Sequence, residues 1–353
     1  MRTTLRRGVA AAAMLLLLLP IGAAAQGPPV RYVDPLFEDV AVSTDIPYGQ
    51  AVNYKGETQT LLLDVYKPVG DEATGRGLYI WVHGGNFRVG NKSSSGPLRD
   101  YVKRGWVGIS INYRLNPELP GNAAVGALTD PASLPAFIQE TEDARHDAQA
   151  AVRWARDNAG DLGIDPNLIA IGGISAGAIT SLMVAFNPND PGDSGNPGPS
   201  SAIAAAVSHA GTYAPVLLGD PPVPGSPPIA IYHGTNDEQV PYPTAPLPCV
   251  LTLLVGNTCE FVTFVGETHR TLGTDLARDF LYRHVIQEQT RAEVLTDLES
   301  EPVSALARVE PAPYVDLGAT VGVVSPTDPA VLQEGTLQLL RYTLNALGID
   351  PPF

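Results

Sequence analysis

The sequence predicts an α/β domain built on a mainly parallel central sheet with helices on both faces. Short apolar runs recur along the chain with helix-like segments between them, the alternation that generates parallel crossovers. Most of these runs are apolar at consecutive positions, as strands covered on both faces are, instead of alternating with polar residues. Size agrees: 353 residues, 44% apolar and 17% charged, suffice for one large domain with a substantial core.

The N-terminus, MRTTLRRGVAAAAMLLLLLPIGAAAQ, joins Arg2, Arg6 and Arg7 to an apolar run through Leu19, a helix-ending Pro20 and the small residues Ala23 to Ala25. It reads as a secretory signal peptide, residues 1–25, cut near Ala25 and too short for a lasting membrane span. The expectation is a secreted or periplasmic protein whose mature chain has no integral membrane segment. Residues 26–353 are expected to form one domain, its core at about 39–288 and a C-terminal extension, 289–353, packed on it.

Along that domain, 26–38 is a proline-containing lead-in and 59–67 (QTLLLDVYK) reads as a strand. GLYIWVHGG (77–85) is an apolar run stopped by glycines, PLRDYVKRG (97–105) is helix-like, and WVGISINYRL (106–115) is a second buried run. Residues 116–140, with Pro117, Pro120, Pro131 and Pro135, are expected to be irregular. A helix at 141–160 turns Ala150, Ala151, Trp154 and Ala155 inward. Strand 167–175 and helix 176–186 follow, then a Pro/Gly-rich solvated loop at 187–200 whose two aspartates lack the spacing of a calcium loop. Strands at 202–211, 228–234 and 259–267, a helix at 274–287 and an amphipathic closing helix at 330–348 complete the reading. No internal repeat is present.

The formal charge is −15, and loss of the three leader arginines makes the remainder more acidic still. With no basic run, nucleic acid and anionic membrane surfaces are poor partners. The two cysteines, Cys249 and Cys259, are expected to pair in an exported chain, a short loop closure that contributes roughly 2–3 kcal/mol; a reactive pair would have the Cys-x-x-Cys spacing they lack.

The chemistry centres on Gly173-Ile174-Ser175-Ala176-Gly177, where an expected strand passes into an expected helix. A Gly-x-Ser-x-Gly turn at that point holds the serine out at the carboxyl edge of the sheet, and small residues at Gly173 and Gly177 let backbone pass close by. The plainer reading is an N-cap serine. Three other stretches decide between them. His83-Gly84-Gly85-Asn86-Phe87 closes an upstream strand, His233-Gly234-Thr235-Asn236-Asp237-Glu238 follows a later one, and Gly266-Glu267-Thr268-His269 ends the last. Of the remaining histidines, His146 and His284 read as surface or packing residues on helices, and His209 and His233 lie near strand ends before structural turns. Asp147 reads as a scaffold residue of its helix, and Asp237 is preferred to Glu238 as the acid.

The segments LYIWVHGGNFRVG, SINYRL, DAQAAVRWARDNAGDLGIDPNLIAIGGISAGA and HGTNDEQVPY resemble the secreted, bacterial-type carboxylesterases and lipases of the α/β-hydrolase superfamily that carry an HGGG-type loop. The resemblance covers about residues 39–288. It implies the α/β-hydrolase fold, ester hydrolysis through an acyl-enzyme on a small-molecule or polymeric ester, and no metal or organic cofactor. It assigns Ser175 as nucleophile, His269 as base and Asp237 as the acid that orients it. Backbone N–H groups of Gly85, Asn86 and Ala176 form the oxyanion hole, while His83, Gly84, Gly173 and Gly177 shape the two turns. The chain departs from the family at Ile174, where an acidic residue is common, at Ala178, where a second glycine is common, and at Asn86, the third glycine of the loop. Short-to-medium acyl esters are expected because no long helical lid is apparent. A lipase, a polyester or feruloyl esterase, an acyltransferase and a non-catalytic binding protein on the same fold are the alternatives. Oligomeric state is left open.

Overall fold

The computed structural model describes residues 29–119, 132–215, 218–270 and 272–288. The expected signal peptide, residues 120–131 of the irregular segment, and the 289–353 extension with its closing helix lie outside the described residues.

Eight strands form one sheet: β1 (Val40–Val52), β2 (Thr58–Pro68), β3 (Arg76–Val82), β4 (Val107–Ile111), β5 (Ile164–Ile174), β6 (Ala205–His209), β7 (Ile229–Gly234) and β8 (Cys259–Phe264). Their spatial order is β1-β2-β4-β3-β5-β6-β7-β8. β2 runs antiparallel to both its neighbours, and every pair from β4 through β8 is parallel. The helices are α1 (Leu98–Val102), α2 (Leu134–Asp157), α3 (Ala159–Leu162), α4 (Ala176–Phe186), α5 (Pro246–Leu254) and α6 (Thr274–Leu281), the last continuing into a π turn at Tyr282–Gln287. This strand order, with one antiparallel strand near one edge and crossover helices on both faces, is that of the α/β-hydrolase fold.

Consecutive apolar residues are explained by two cores, one on each face of the sheet. Leu78, Ile80 and Val82 of β3 join Ala148, Ala151 and Val152 of α2 and Ile179, Leu182 and Met183 of α4. Tyr79 and Trp81, alternate residues of the same strand, join Leu98 and Tyr101 of α1 and Ala277 and Phe280 of α6 on the other side. Each fully buried aliphatic side chain of β3 contributes roughly 1.5–3 kcal/mol, so the central strands fix the sheet on which every loop at the carboxyl edge is mounted. Among the described residues no helix is long and apolar enough to cross a membrane.

Two expectations need correction. The 116–140 segment is not irregular throughout, because α2 already begins at Leu134, with Pro135 in its first turn. There the missing N–H costs nothing and the fixed φ suits a helix start, so this proline begins the helix that it was expected to exclude. The 187–200 loop is not simply solvated. Ser194 is buried, and its hydroxyl donates to Asp147 of α2 at 2.5 Å. Asn196 Nδ2 donates to the carbonyls of Tyr48 and Ala150 at 2.5 and 3.0 Å, tying the loop to β1 and α2. Asp147 is the scaffold residue expected, buried and accepting from Arg114 N and Nε at 2.6 and 3.0 Å.

Candidate active site

β5 gives way to α4 at Ser175, whose φ of 57° and ψ of −120° lie outside the regions open to ordinary L residues. Such strain marks a residue held by its surroundings. Its N–H donates to the His209 carbonyl at 2.9 Å, and its own carbonyl accepts from Ala178 and Ile179 N–H at 3.0 Å each. The flanking glycines are required by space: a Cβ on Gly173 would sit 2.4 Å from the Val82 carbonyl oxygen, and one on Gly177 only 2.1 Å from the same atom. Backbone of β3 therefore passes through the volume that side chains there would fill. Ser175 stands at the N-cap position of α4, but its side chain makes no capping bond, so the hydroxyl is not spent on the helix end.

The loop after β3 lies against this turn. A Cβ on Gly84 would be 3.2 Å from Ser175 Cβ. Gly85, Asn86 and Phe87 are successive residues with positive φ, 128°, 55° and 59°. Asn enters this region more easily than most residues; Phe87 is held there by full burial and edge contacts with Phe137 and Tyr113, with ring centroids at 5.7 and 6.3 Å. The loop is thus a tight turn set against Ser175, and backbone N–H groups of a turn can receive an anion. Among the described residues, the N–H groups of Gly85, Asn86 and Ala176 donate to no other protein group. His83 braces the loop from beneath: Nδ1 donates to the Gly84 carbonyl at 2.7 Å, and the ring stacks on Tyr113 at 4.4 Å. Burial, only partly opposed by that bond, holds the His83 pKa below its ordinary value, consistent with a neutral structural ring.

Asp237 and His269 meet across two loops at the carboxyl edge. His269 Nδ1 is 2.8 Å from Asp237 Oδ2 and 2.9 Å from Oδ1, so Nδ1 carries the proton and Nε2 is left with a free lone pair. Oδ1 also accepts from the N–H groups of Gln239 and Val240 at 2.9 Å each. Burial alone would raise the Asp237 pKa, but the close approach of His233 and the hydrogen bonds from His269 and Val240 outweigh it and hold the carboxyl well below its usual range. No hydrogen bond links Ser175 to His269 here; catalytic contacts of this kind are often loose before substrate binds.

The pairing depends on close approach of the two loops. A Cβ on Gly234 would sit 2.3 Å from the Glu267 carbonyl oxygen. Asn236 N–H donates to that carbonyl at 2.9 Å, Asn236 Nδ2 to the Gly266 carbonyl at 3.0 Å, and Gly266 N–H to Thr235 Oγ1 at 2.8 Å. Thr235 and Asn236 thus tie the two loops together, a part that the sequence alone did not mark out, although both stand inside the HGTND motif.

The other histidines are placed elsewhere. His209 is fully buried between Trp81 and Tyr232, ring centroids at 5.8 and 5.3 Å, and burial pushes it down to about 3, so it stays neutral. His284 pairs with Glu260 and Glu288, and His146 lies beside Glu142, Asp190 and Asp193. Glu142, His146 and Asp190 bring ligand atoms within 4.8 Å of one another. However, the Arg145 guanidinium already donates to Glu142, and to Asp190 at 2.6 Å, supplying the positive charge that a metal would bring. Cys249 of α5 and Cys259 of β8 form a disulfide, with Cα atoms 5.4 Å apart, fastening the strand that leads to His269.

Comparison with known proteins agrees with this architecture. The family described as BD-FAE matches residues 63–212, from β2 through the serine turn to the end of β6. Esterase LipQ of Mycobacterium tuberculosis is 32% identical over 192 residues, which is 53% of this chain and 38% of that protein. The chain thus spans well under half the length of this relative. Among solved structures, Thermogutta terrifontis esterase 2 phosphorylated by paraoxon superposes with a TM-score of 0.55 at 25% identity, over 69% of this chain and 94% of that one. A butyrate-bound structure of the Thermogutta enzyme gives 0.50 at 25% identity, over 72% and 96%. Fold and site together define a chain of the α/β-hydrolase fold, and the proteins that it resembles are esterases.

Proposed function

We propose that the protein is a serine esterase that hydrolyses carboxylic esters through an acyl-enzyme. One observation carries this reading: the strained Ser175 turn, the unspent N–H groups of the loop after β3 and the Asp237–His269 pair all lie at the carboxyl edge of one rigid sheet. In the proposed cycle His269 Nε2 takes the proton from Ser175 Oγ as the oxygen attacks the ester carbonyl. The N–H groups of Gly85, Asn86 and Ala176 receive the developing oxyanion, each such donor being worth roughly 3–4 kcal/mol. Asp237, ionised throughout, fixes the Nδ1–H tautomer and stabilises the imidazolium. The imidazolium returns its proton to the departing alcohol, leaving Ser175 acylated. Water, deprotonated by His269, then attacks the acyl carbon, and the carboxylic acid leaves as Ser175 recovers its proton.

Short-to-medium acyl chains are the proposed substrates. The butyrate held by the Thermogutta esterase supports a small acyl pocket. Each further CH₂ adds roughly 0.8 kcal/mol of binding only until such a pocket is full. Export after removal of residues 1–25 is also proposed, supported by the leader composition and the Cys249–Cys259 disulfide, since disulfides persist in oxidising compartments. The test is a panel of p-nitrophenyl esters from acetyl to palmitoyl, with Ser175→Ala as control. Hydrolysis peaking between acetyl and octanoyl and lost in the control supports the reading. A preference for palmitoyl with activation at an emulsion surface points to a lipase, and no hydrolysis at any length points to a binding protein.

A further inference from the structure

We propose that His233 is a positioning residue of the active site, holding the Asp237 carboxylate in the orientation that serves His269; the proposal rests on the esterase reading above. His233 sits on β7, where its backbone registers with Thr263 of β8, so the ring is carried by the sheet and not by a loop. Its side chain is completely shielded from solvent, as is that of Asp237. His233 Nε2 lies 3.1 Å from Asp237 Oδ2 and 2.9 Å from the Val240 carbonyl oxygen. Both neighbours are acceptors, so Nε2 carries the proton and Nδ1 carries a lone pair.

That lone pair identifies the role. Nδ1 is buried and has no hydrogen-bond partner among the described residues. A buried polar atom without a partner lowers stability, and an apolar side chain of similar size would avoid the loss. If the ring served packing alone, a histidine would be the poorer choice, so the compensating gain lies at Nε2. There the ring N–H, bonded to the Val240 carbonyl, also lies 3.1 Å from the one carboxylate oxygen that backbone N–H groups do not hold. Oδ1 is held by the N–H groups of Gln239 and Val240, whereas Oδ2 meets, among the described residues, the two imidazoles, His269 in a hydrogen bond at 2.8 Å and His233 Nε2 at 3.1 Å. The Val240 carbonyl accepts this proton, so the ring closes the 234–240 turn around the carboxylate. An edge contact with Tyr242, with centroids at 6.0 Å, limits rotation of the ring. His233 cannot itself relay the serine proton, being sealed from the surface; it acts through Asp237.

The experiment compares His233→Leu, which removes the donor at similar bulk, with His233→Gln, whose amide nitrogen reaches the position of Nε2. For p-nitrophenyl butyrate we expect His233→Leu to lower kcat about 10- to 100-fold, the effect of a small misplacement of the catalytic groups. KM should change less than about twofold, because substrate does not touch the ring, and His233→Gln should recover most of the loss. Wild-type kcat in folded His233→Leu, or equal losses in the two folded variants, would overturn the proposal. Should either variant fail to fold, ¹⁵N NMR of the wild-type imidazoles at pH 8 decides: a proton on His233 Nε2 is required, and a ring protonated at Nδ1 alone refutes the assignment. Wild-type protein and Ser175→Ala are assayed alongside. If neither hydrolyses the ester, the esterase reading fails, while the tautomer measurement still judges His233.

Discussion

The methyl group of Ala178 occupies the space that a side chain on Gly211 would need: a Cβ built on Gly211 would lie 2.5 Å from it. The resemblance leads one to expect glycine at 178, and here the small residue sits across the contact, in the turn after β6. Gly211→Ala should therefore destabilise the protein by about 1–3 kcal/mol, the usual cost of overpacking. Adding Ala178→Gly should recover part of this, the remainder reflecting Ser208 Oγ, which would lie 2.7 Å from the same added Cβ. Urea denaturation of the two single variants and the double variant measures the coupling, and additive effects would show that the two sites do not share this space.

Ser175 and His269 should behave as one unit. Replacing either with Ala is expected to lower kcat by about 10⁴-fold or more, and the double replacement should cost little beyond the worse single one. Multiplicative losses in a steady-state assay of the three variants would separate the two residues.

Glu140 supplies a pH test remote from the serine. It lines a cleft of about 360 Å³ between the β1–β2 turn and α2, with Arg114, Asn116 and Asp143. None of Ser175, Asp237 and His269 lines this cleft. Burial, only partly opposed by a hydrogen bond from Asn116, pushes the Glu140 carboxyl up to about 7. In the unfolded chain the group titrates near about 4.3. Between these values the folded state holds a proton that the unfolded state has released, so its contribution to stability falls as pH rises and is lost above about 7. Glu140→Gln should flatten that fall and gain stability relative to wild type at pH 8 more than at pH 4. Parallel denaturation curves for the two proteins at both pH values would contradict the shift.

The sequence was most legible where one local pattern decides the outcome. Helix 176–186 is found at those residues because an apolar run buried along its whole length follows a turn that only small flanking residues allow. β1 was not legible: its polar residues and Pro47 disguise a strand that lies at the sheet edge, with register shifts on either side of the proline. Pro135 misled in the opposite direction, for its effect depends on falling in the first turn of a helix and not on its identity. Asp237 and His269 could be placed at strand ends, but their contact depends on Gly234 admitting the Glu267 carbonyl and on bonds from Thr235 and Asn236. His233 gave no signal beyond its place in a motif, because its significance lies in which atom of Asp237 it meets.

The most direct measurement is the site of covalent modification by an organophosphate such as paraoxon, the reagent found on the Thermogutta esterase. The protein should take up one equivalent, lose hydrolysis of p-nitrophenyl butyrate in proportion, and yield by peptide mass spectrometry an adduct on Ser175; His269→Ala should be modified far more slowly. An unmodified Ser175 in protein that still hydrolyses the ester, or full activity in Ser175→Ala, would contradict the assignment of this serine as the nucleophile.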